Sequence, residues 1–169
     1  MIRILFGVLA ISAWGLGSDI QARAETMKFK FYTYAVKSEL IPIGDVEGHA
    51  FGFTIRRSFV VLENGEVATA KAVITSEGVK NSGQILQYVT YKFNDGSTFI
   101  IRSQGTFGTP AAGSFTAAGW TSEIIKGTGR FEGIKGTVTS QAKYLPVEEE
   151  DPGPKGIGET TITYTLPVK

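Results

Sequence analysis

The twelve residues GTGRFEGIKGTV, positions 127–138, decide the fold that the sequence predicts. Four glycines fall within ten positions, and one aromatic residue stands among them. Glycine suits positions that need a positive φ or a close backbone approach. Because alternating apolar and polar segments flank this stretch, it predicts a packed corner between two strands. A phosphate-binding loop is excluded, because no GK[ST] follows and the next pattern is a strand. The corner residues are Gly127, Gly129, Phe131, Gly133 and Gly136.

Outside the corner, the chain reads as strands joined by turns. Residues 64–65 are Asn-Gly and residues 95–96 are Asp-Gly, which are strong hairpin signals. The stretches 37–46, 78–83, 108–113 and 146–158 read as loops. Successive hairpins favour an all-β, eight-stranded antiparallel up-and-down β-barrel, with a sandwich as the alternative. The predicted strands are residues 27–36, 49–62, 66–76, 84–93, 98–106, 115–126, 134–145 and 158–167.

The second predicted strand, residues 49–62, is more apolar at its odd positions than at its even ones. We therefore predict that the odd face turns toward the core. The next strand carries a face of small residues that includes Ala68, Ala70 and Ala72. The predicted core face of the second strand is His49, Phe51, Phe53, Ile55, Arg57, Phe59 and Val61.

The first 24 residues have the pattern of a secretory signal peptide. A basic residue, Arg3, precedes a short apolar run, and Ala22-Arg23-Ala24 follows as a cleavage motif. The apolar run is too short to span a bilayer as a helix, which needs about 20 residues. The alternative is an uncleaved anchor or a core helix. We predict cleavage between Ala24 and Glu25, a single barrel domain over residues 25–169, and a periplasmic or secreted location.

Composition excludes several classes of function. The chain has no Cys, so disulfides, thiolate metal sites and cysteine nucleophiles are absent. Cleavage would remove two of 17 basic and one of 16 acidic residues, which leaves equal numbers of each. A neutral chain has no basic surplus for nucleic acid or acidic membranes. Nucleic acid is therefore not a predicted partner, and the short apolar run of the signal-like segment predicts no membrane span.

Two groups of polar residues are candidates for contact with a ligand. Asp45, Glu47 and His49 share a face if their strand begins by residue 45. Such a set suits a metal, acid–base chemistry or a ligand at a barrel mouth, but also the polar residues of a turn. Arg57 could hold an acidic head group if it lies inside. Alternatively, the strand face is misassigned and both Arg56 and Arg57 are exposed; a carboxylate partner for a buried Arg57 could be Glu123 or Glu132.

Two aromatic residues complete the candidates, as walls of an apolar cavity or as core and subunit contacts. A single His, with no second ligand cluster, predicts no metal site. The chain has no nucleophile elbow and no dinucleotide fingerprint, so we predict no catalytic residue and no cofactor. The acidic run at residues 148–151 reads as a solvated loop rather than a calcium site. The candidate ligand-binding residues are Glu47, His49, Arg57, Tyr91 and Trp120.

The segment SEIIKGTGRFEGIKG, residues 122–136, resembles the G-x-G-x-F-E-G-x-x-G stretch of the allene oxide cyclase barrel, and more loosely that of dirigent proteins. DGSTFIIRSQG, residues 95–105, is similar to the same superfamily's hairpin, and the likeness covers roughly residues 84–145. The resemblance implies a small lipocalin-like barrel, often trimeric, of the kind found in exported bacterial members. Plant cyclases bind an epoxide fatty acid inside the barrel. Their polar first-strand residues have no clear counterpart here, so cyclase activity is not carried over.

These observations predict an exported barrel that binds a small apolar or amphipathic ligand, or that serves as a non-catalytic scaffold, possibly as a dimer or trimer. The alternative is a cyclase or isomerase, allene oxide cyclase-like or dirigent-like, that steers a reactive substrate by holding it in a productive shape. The barrel interior distinguishes these functions, because a ligand needs polar groups and space inside.

Overall fold

A computed structural model describes residues 24–80, 82–108 and 116–168, with the backbone alone over 116–120. Each strand pairs antiparallel with the next, and the last strand returns to the first. The prediction of an eight-stranded up-and-down barrel is confirmed. Within the described ranges, no helix has the length and apolar character needed to cross a bilayer. The strands are β1 Glu25–Pro42, β2 His49–Leu62, β3 Val67–Val79, β4 Ser82–Phe93, β5 Thr98–Gly108, β6 Thr116–Thr128, β7 Lys135–Tyr144 and β8 Gly156–Thr165.

The predicted glycine corner joins β6 to β7 through a short 3-10 helix, Gly129–Phe131. Gly129 has a φ of +62°, which a residue with a side chain rarely adopts. A Cβ on Gly127 would overlap the carbonyl oxygen of Phe131, so this glycine allows a close backbone approach. Phe131 itself is only 3% exposed. The corner therefore closes one end of the barrel with a buried aromatic ring.

Aromatic rings fill the end of the barrel above this corner, and we call them the aromatic floor. Phe131 lies 4.9 Å from Phe93 and 5.2 Å from Phe99, measured between ring centroids. Tyr91 stacks on Phe99 at 4.7 Å and contacts Phe29 of β1 at 5.3 Å. Because β1 and β4 lie on different sides of the barrel, these contacts span its interior. The aromatic floor is Phe29, Tyr91, Phe93, Phe99 and Phe131.

Two predicted loops are shorter than expected. β1 continues to Pro42, so residues 37–42 are strand, with a β-bulge between Ala35 and Lys37. Pro42 is tolerated because it is the last residue of the strand. β3 reaches Val79 and β4 begins at Ser82, so most of the loop predicted at 78–83 is also strand. These extensions lengthen β1 to β4 at the end opposite the aromatic floor.

The predicted core face of β2 is wrong, because the even positions face the interior. Arg56, Val60 and Leu62 are buried, whereas Arg57 is exposed and Phe59 is 51% exposed. The outer face of β2 is thus the more apolar of the two. Composition alone assigns such a strand to the wrong side.

The physical reason is the length of the turn between β2 and β3. The Leu62 amide donates to the Glu66 carbonyl at 2.8 Å, so the turn between these two bonded residues contains three residues, 63–65, rather than two. This turn places Ala72 opposite Arg56. A two-residue turn would place it opposite Arg57, and a shift of one residue moves every side chain to the other face.

Candidate functional site

Beyond the aromatic floor the barrel interior contains buried polar side chains among apolar ones such as Val89 and Ile101. Four buried side chains, none more than 7% exposed, define what we call the polar level. Burying polar groups is unfavourable unless each finds a partner, so a core that served stability alone would be apolar here. The polar level consists of Thr33, Arg56, Ser103 and Thr160.

Arg56 is the only charged residue of the polar level. Its Nε donates to Thr33 Oγ1 at 3.2 Å, and its Nη2 donates to the Pro154 carbonyl at 2.5 Å. The guanidinium carbon lies 5.2 Å from the centroid of the Tyr144 ring. Burial lowers the pKa of Arg56, an effect that Tyr144 partly opposes. Among the described residues no Asp or Glu forms an ion pair with it, so a buried cation is held only by neutral groups.

The hydroxyl groups of the polar level are paired across neighbouring strands. Ser122 Oγ donates to Ser103 Oγ at 2.8 Å, joining β6 to β5. The Ser140 and Thr160 hydroxyls lie 2.8 Å apart, joining β7 to β8. Each of these hydroxyl groups therefore has a hydrogen-bond partner. Arg56 is the member of the polar level whose charge is not balanced by an opposite charge among the described residues.

Tyr91 lies at the border between the aromatic floor and the polar level. It is 7% exposed, and burial raises the pKa of its phenol well above the ordinary value. The phenol therefore stays protonated and can donate a hydrogen bond. In the described structure its hydroxyl makes no hydrogen bond to the protein. A buried hydroxyl without a partner is uncommon and calls for an explanation.

The loop over residues 145–155, which we call the mouth loop, lies against Arg56. The Leu145 amide donates to the Lys155 carbonyl at 2.8 Å. Lys155 Nζ lies 2.9 Å from both Glu148 and Asp151, so part of the acidic run is paired within the loop. A Cβ on Gly153 would lie 3.1 Å from Ala35 Cβ on β1. The mouth loop thus places the Pro154 carbonyl over the polar level.

β6 and β7 are neighbouring strands of the closed barrel, and Glu123 pairs with Thr137 in the part where both strands are described. On β7, Ser140 and Tyr144 contact the polar level.

His49 lies on the outer rim, because it shares the outward face of β2 with the exposed Arg57. Its Nδ1 lies 2.6 Å from Asp45 Oδ1, and its Nε2 lies 3.4 Å from Glu77 Oε1. The strand begins only at His49, so the shared strand face predicted for residues 45, 47 and 49 is wrong, and Asp45 reaches His49 from the preceding turn, where Glu47 is exposed. His49 and Glu77 also line an open groove of about 680 Å³. Within the described residues, no three His, Cys, Asp or Glu side chains are placed to hold a metal ion.

The rim cluster predicts a pH dependence of stability. The hydrogen bond to the Asp45 carboxylate raises the pKa of His49 above its ordinary 6.5. The same bond lowers the pKa of Asp45. A raised folded-state pKa stabilises the fold below pH 6.5, and this contribution is lost as the pH rises through the folded pKa. We expect the stability advantage of the wild type over His49→Gln to shrink between pH 6 and pH 8 in urea denaturation.

Asp45→Asn is the control for this assignment. It removes the main partner of His49. The difference in stability between the Asp45→Asn protein and the Asp45→Asn, His49→Gln double variant should therefore change less with pH than the difference between the wild type and His49→Gln. A wild-type advantage that stays constant or grows above pH 6.5 would contradict the assignment.

The structure separates the five predicted ligand residues. Only Tyr91 is described as facing the interior; Glu47, His49 and Arg57 lie on the turn, the rim and the outer face. Trp120 is on β6, but its side chain lies outside the described residues. Their ligand contacts remain predictions. Sequence reasoning missed the interior residues Thr33, Arg56, Tyr144 and Pro154, and the register of the alanine face of β3 is the signal that identifies Arg56.

The sequence matches no protein-family model and no curated protein sequence. It is similar in structure to two pterocarpan synthase dirigent proteins. The first is 17% identical over 88% of this chain and 99% of its own, with a TM-score of 0.49. The second is 14% identical over 95% and 98%, with a TM-score of 0.48. These are remote neighbours, and the architecture above rests on this chain's own strand pairing. The resemblance to allene oxide cyclases and a bacterial origin remain predictions.

Proposed function

We propose that the protein is an exported barrel that binds a small amphipathic molecule in its interior. One observation carries the proposal: the interior has the aromatic floor at one end and the polar level next to it. An amphipathic molecule needs these two environments in this order, an apolar contact surface and a few polar groups that fix its orientation. The cyclase or isomerase alternative remains a second prediction.

Export is part of the proposal and rests on the sequence. Arg3 precedes a short apolar run and a small-residue cleavage motif, and the sequence lacks Cys. Cleavage after Ala24 would leave Glu25 as the first residue of β1.

Assembly into a homo-oligomer is also part of the proposal, with a second copy as the partner. Tyr32 on β1 pairs with Phe59 on β2 and with Ile157 on β8, and all three project outward. Together with Tyr34 they form an outer apolar patch in which each side chain is about half exposed. Contiguous apolar patches of this kind mark interaction surfaces. The balanced charge of the mature chain adds no net repulsion between copies.

Native mass spectrometry of the exported protein tests all three parts in one sample. We expect a subunit mass that begins at Glu25, a complex mass that is a multiple of it, and an added small-molecule mass that is lost on denaturation. The double variant Tyr32→Lys and Phe59→Lys is the matched control. It should lose the oligomer and retain the small-molecule mass, because both side chains lie on the outer face.

Export, assembly and ligand binding would each be refuted by a different result. A subunit that still begins at Met1 would overturn export, and a wild-type monomer would overturn assembly. A protein that never carries an added mass, and that takes up neither member of the probe pairs described below, would overturn ligand binding.

A further inference from the structure

We propose that the molecule bound inside the barrel carries an acidic head group, which binds Arg56 in place of the Pro154 carbonyl. This inference rests on the proposed function and names the chemical class of the ligand. The groups that carry it are Arg56, Thr33 and Tyr91, and none of them is among the residues of the rim or the outer face.

The first step is the charge of Arg56. Its guanidinium has five N–H donors and remains charged in a protein. A buried charge normally requires an opposite charge, and removing the partner of a buried pair strongly destabilises a fold. Here the contacts that the structure gives are a hydroxyl, a carbonyl and an aromatic ring. A carboxylate is the group that the guanidinium fork binds best, with two parallel hydrogen bonds.

The second step is the lining between Arg56 and Tyr91. Arg56 is paired with Ala72, and Tyr91 is paired with Ala70, so two alanines of β3 line the wall between them. Both methyl groups are buried, and alanine side chains project only a short way from the wall. Tyr91 adds a buried hydroxyl for which the described structure gives no hydrogen-bond partner.

The third step is the exchange at the mouth loop. The Pro154 carbonyl is a neutral acceptor and reaches Arg56 from a loop that is anchored mainly at its own ends. An anionic oxygen is a stronger acceptor for a guanidinium than a neutral carbonyl. A carboxylate that enters at the mouth loop therefore replaces the loop carbonyl at Arg56. The apolar part of the molecule then contacts the aromatic floor.

Matched pairs of probes test the inference by isothermal titration calorimetry on the mature protein. The pairs are octanoic acid with 1-octanol, and 4-phenylbutyric acid with 4-phenylbutan-1-ol, at a pH where both acids are ionised. Each acid is expected to bind at least tenfold more tightly than its alcohol. That ratio follows from roughly 1.5–3 kcal/mol for a hydrogen bond to a charged group.

Arg56→Met is the test variant, and Arg57→Met is its matched control on the outer face. Arg56→Met should remove the preference for the acid while leaving the alcohol's affinity within about twofold, and Arg57→Met should leave both unchanged. The stability of the ligand-free protein separates a binding role from a structural one. Replacing a buried charge that has no ionic partner with an apolar side chain removes the cost of desolvating that charge, which offsets the loss of its hydrogen bonds to Thr33 and Pro154, so the Arg56→Met protein should be at least as stable as the wild type.

Three outcomes would overturn the inference, and they differ from failure of the proposed function. Equal binding of acids and alcohols, or a preference that survives Arg56→Met, would refute an acidic head group at Arg56 while retaining an interior ligand. A ligand-free Arg56→Met protein that is markedly less stable than the wild type would identify Arg56 as a structural tie to the mouth loop. If no probe binds and the exported protein carries no added mass, the proposed function fails as well.

Discussion

Phe131→Ala is expected to lower the free energy of unfolding by roughly 3–5 kcal/mol, the usual range for loss of a fully buried Phe. The ring is 3% exposed and contacts both Phe93 and Phe99 in the aromatic floor. The corner that carries it is held by close backbone contacts at Gly127, so it cannot readily collapse into the space left behind. Urea denaturation followed by circular dichroism would measure the change.

Phe59→Ala is the matched control for this prediction. Phe59 has the same side chain but lies on the outer face of β2, where it is 51% exposed. A half-exposed side chain in the monomer should lose less than about 1 kcal/mol. The comparison is made at a concentration where the protein is monomeric, because the outer apolar patch would otherwise contribute. Similar losses for the two variants would mean that Phe131 does not anchor the barrel.

Local signals were sufficient to predict the architecture. The Asn-Gly and Asp-Gly pairs both lie in turns, where Gly65 and Gly96 have positive φ values of +84° and +83°. The glycine corner contains both features that glycine allows, a positive φ at Gly129 and a close approach at Gly127. Such features depend on residues that are near in sequence, so a single chain reveals them.

The interior of the barrel could not be predicted in the same way, because it depends on register. Asn64-Gly65 is compatible with a two-residue turn or with a three-residue turn, and these differ by one residue in pairing. The three-residue turn that the protein has pairs Ala70 of β3 with Ser58 and Ala72 with Arg56. Since β2 is apolar on its outer face as well, its composition favoured the wrong choice. The candidate arginine therefore changed from Arg57 to its neighbour, Arg56.

The contacts of the polar level also could not be predicted from local sequence patterns. Arg56 contacts Thr33 and Pro154, which are 23 and 98 residues away in the sequence. The bulge between Ala35 and Lys37 also breaks the simple alternation of β1 just beyond Thr33. No local pattern connects these three segments, and only closure of the barrel brings them together. The proposed binding site thus depends on long-range pairing, whereas the fold is signalled locally.

Gly127→Ala is expected to lower the free energy of unfolding by roughly 1–3 kcal/mol, the range for forcing atoms into a packed region. The new Cβ would overlap the Phe131 carbonyl oxygen and approach Ile134 Cγ2 to 2.6 Å. The carbonyl cannot move freely, because it accepts a hydrogen bond from the Ile134 amide at 3.0 Å. Relief therefore requires a shift of the corner and of the Phe131 ring that it positions.

Gly108→Ala is the control that isolates this steric effect in the same urea denaturation experiment. Gly108 is also a strand glycine, the last residue of β5, but a Cβ there would meet no atom of the described residues within 4 Å. Its replacement should be neutral or stabilising by roughly 0.4–1 kcal/mol, since Ala loses less backbone entropy on folding than Gly. Opposite signs for the two variants would show that the corner requires glycine for close approach. Equal effects would mean that the barrel tolerates a side chain at Gly127, and the corner would then depend on Gly129 and Phe131 alone.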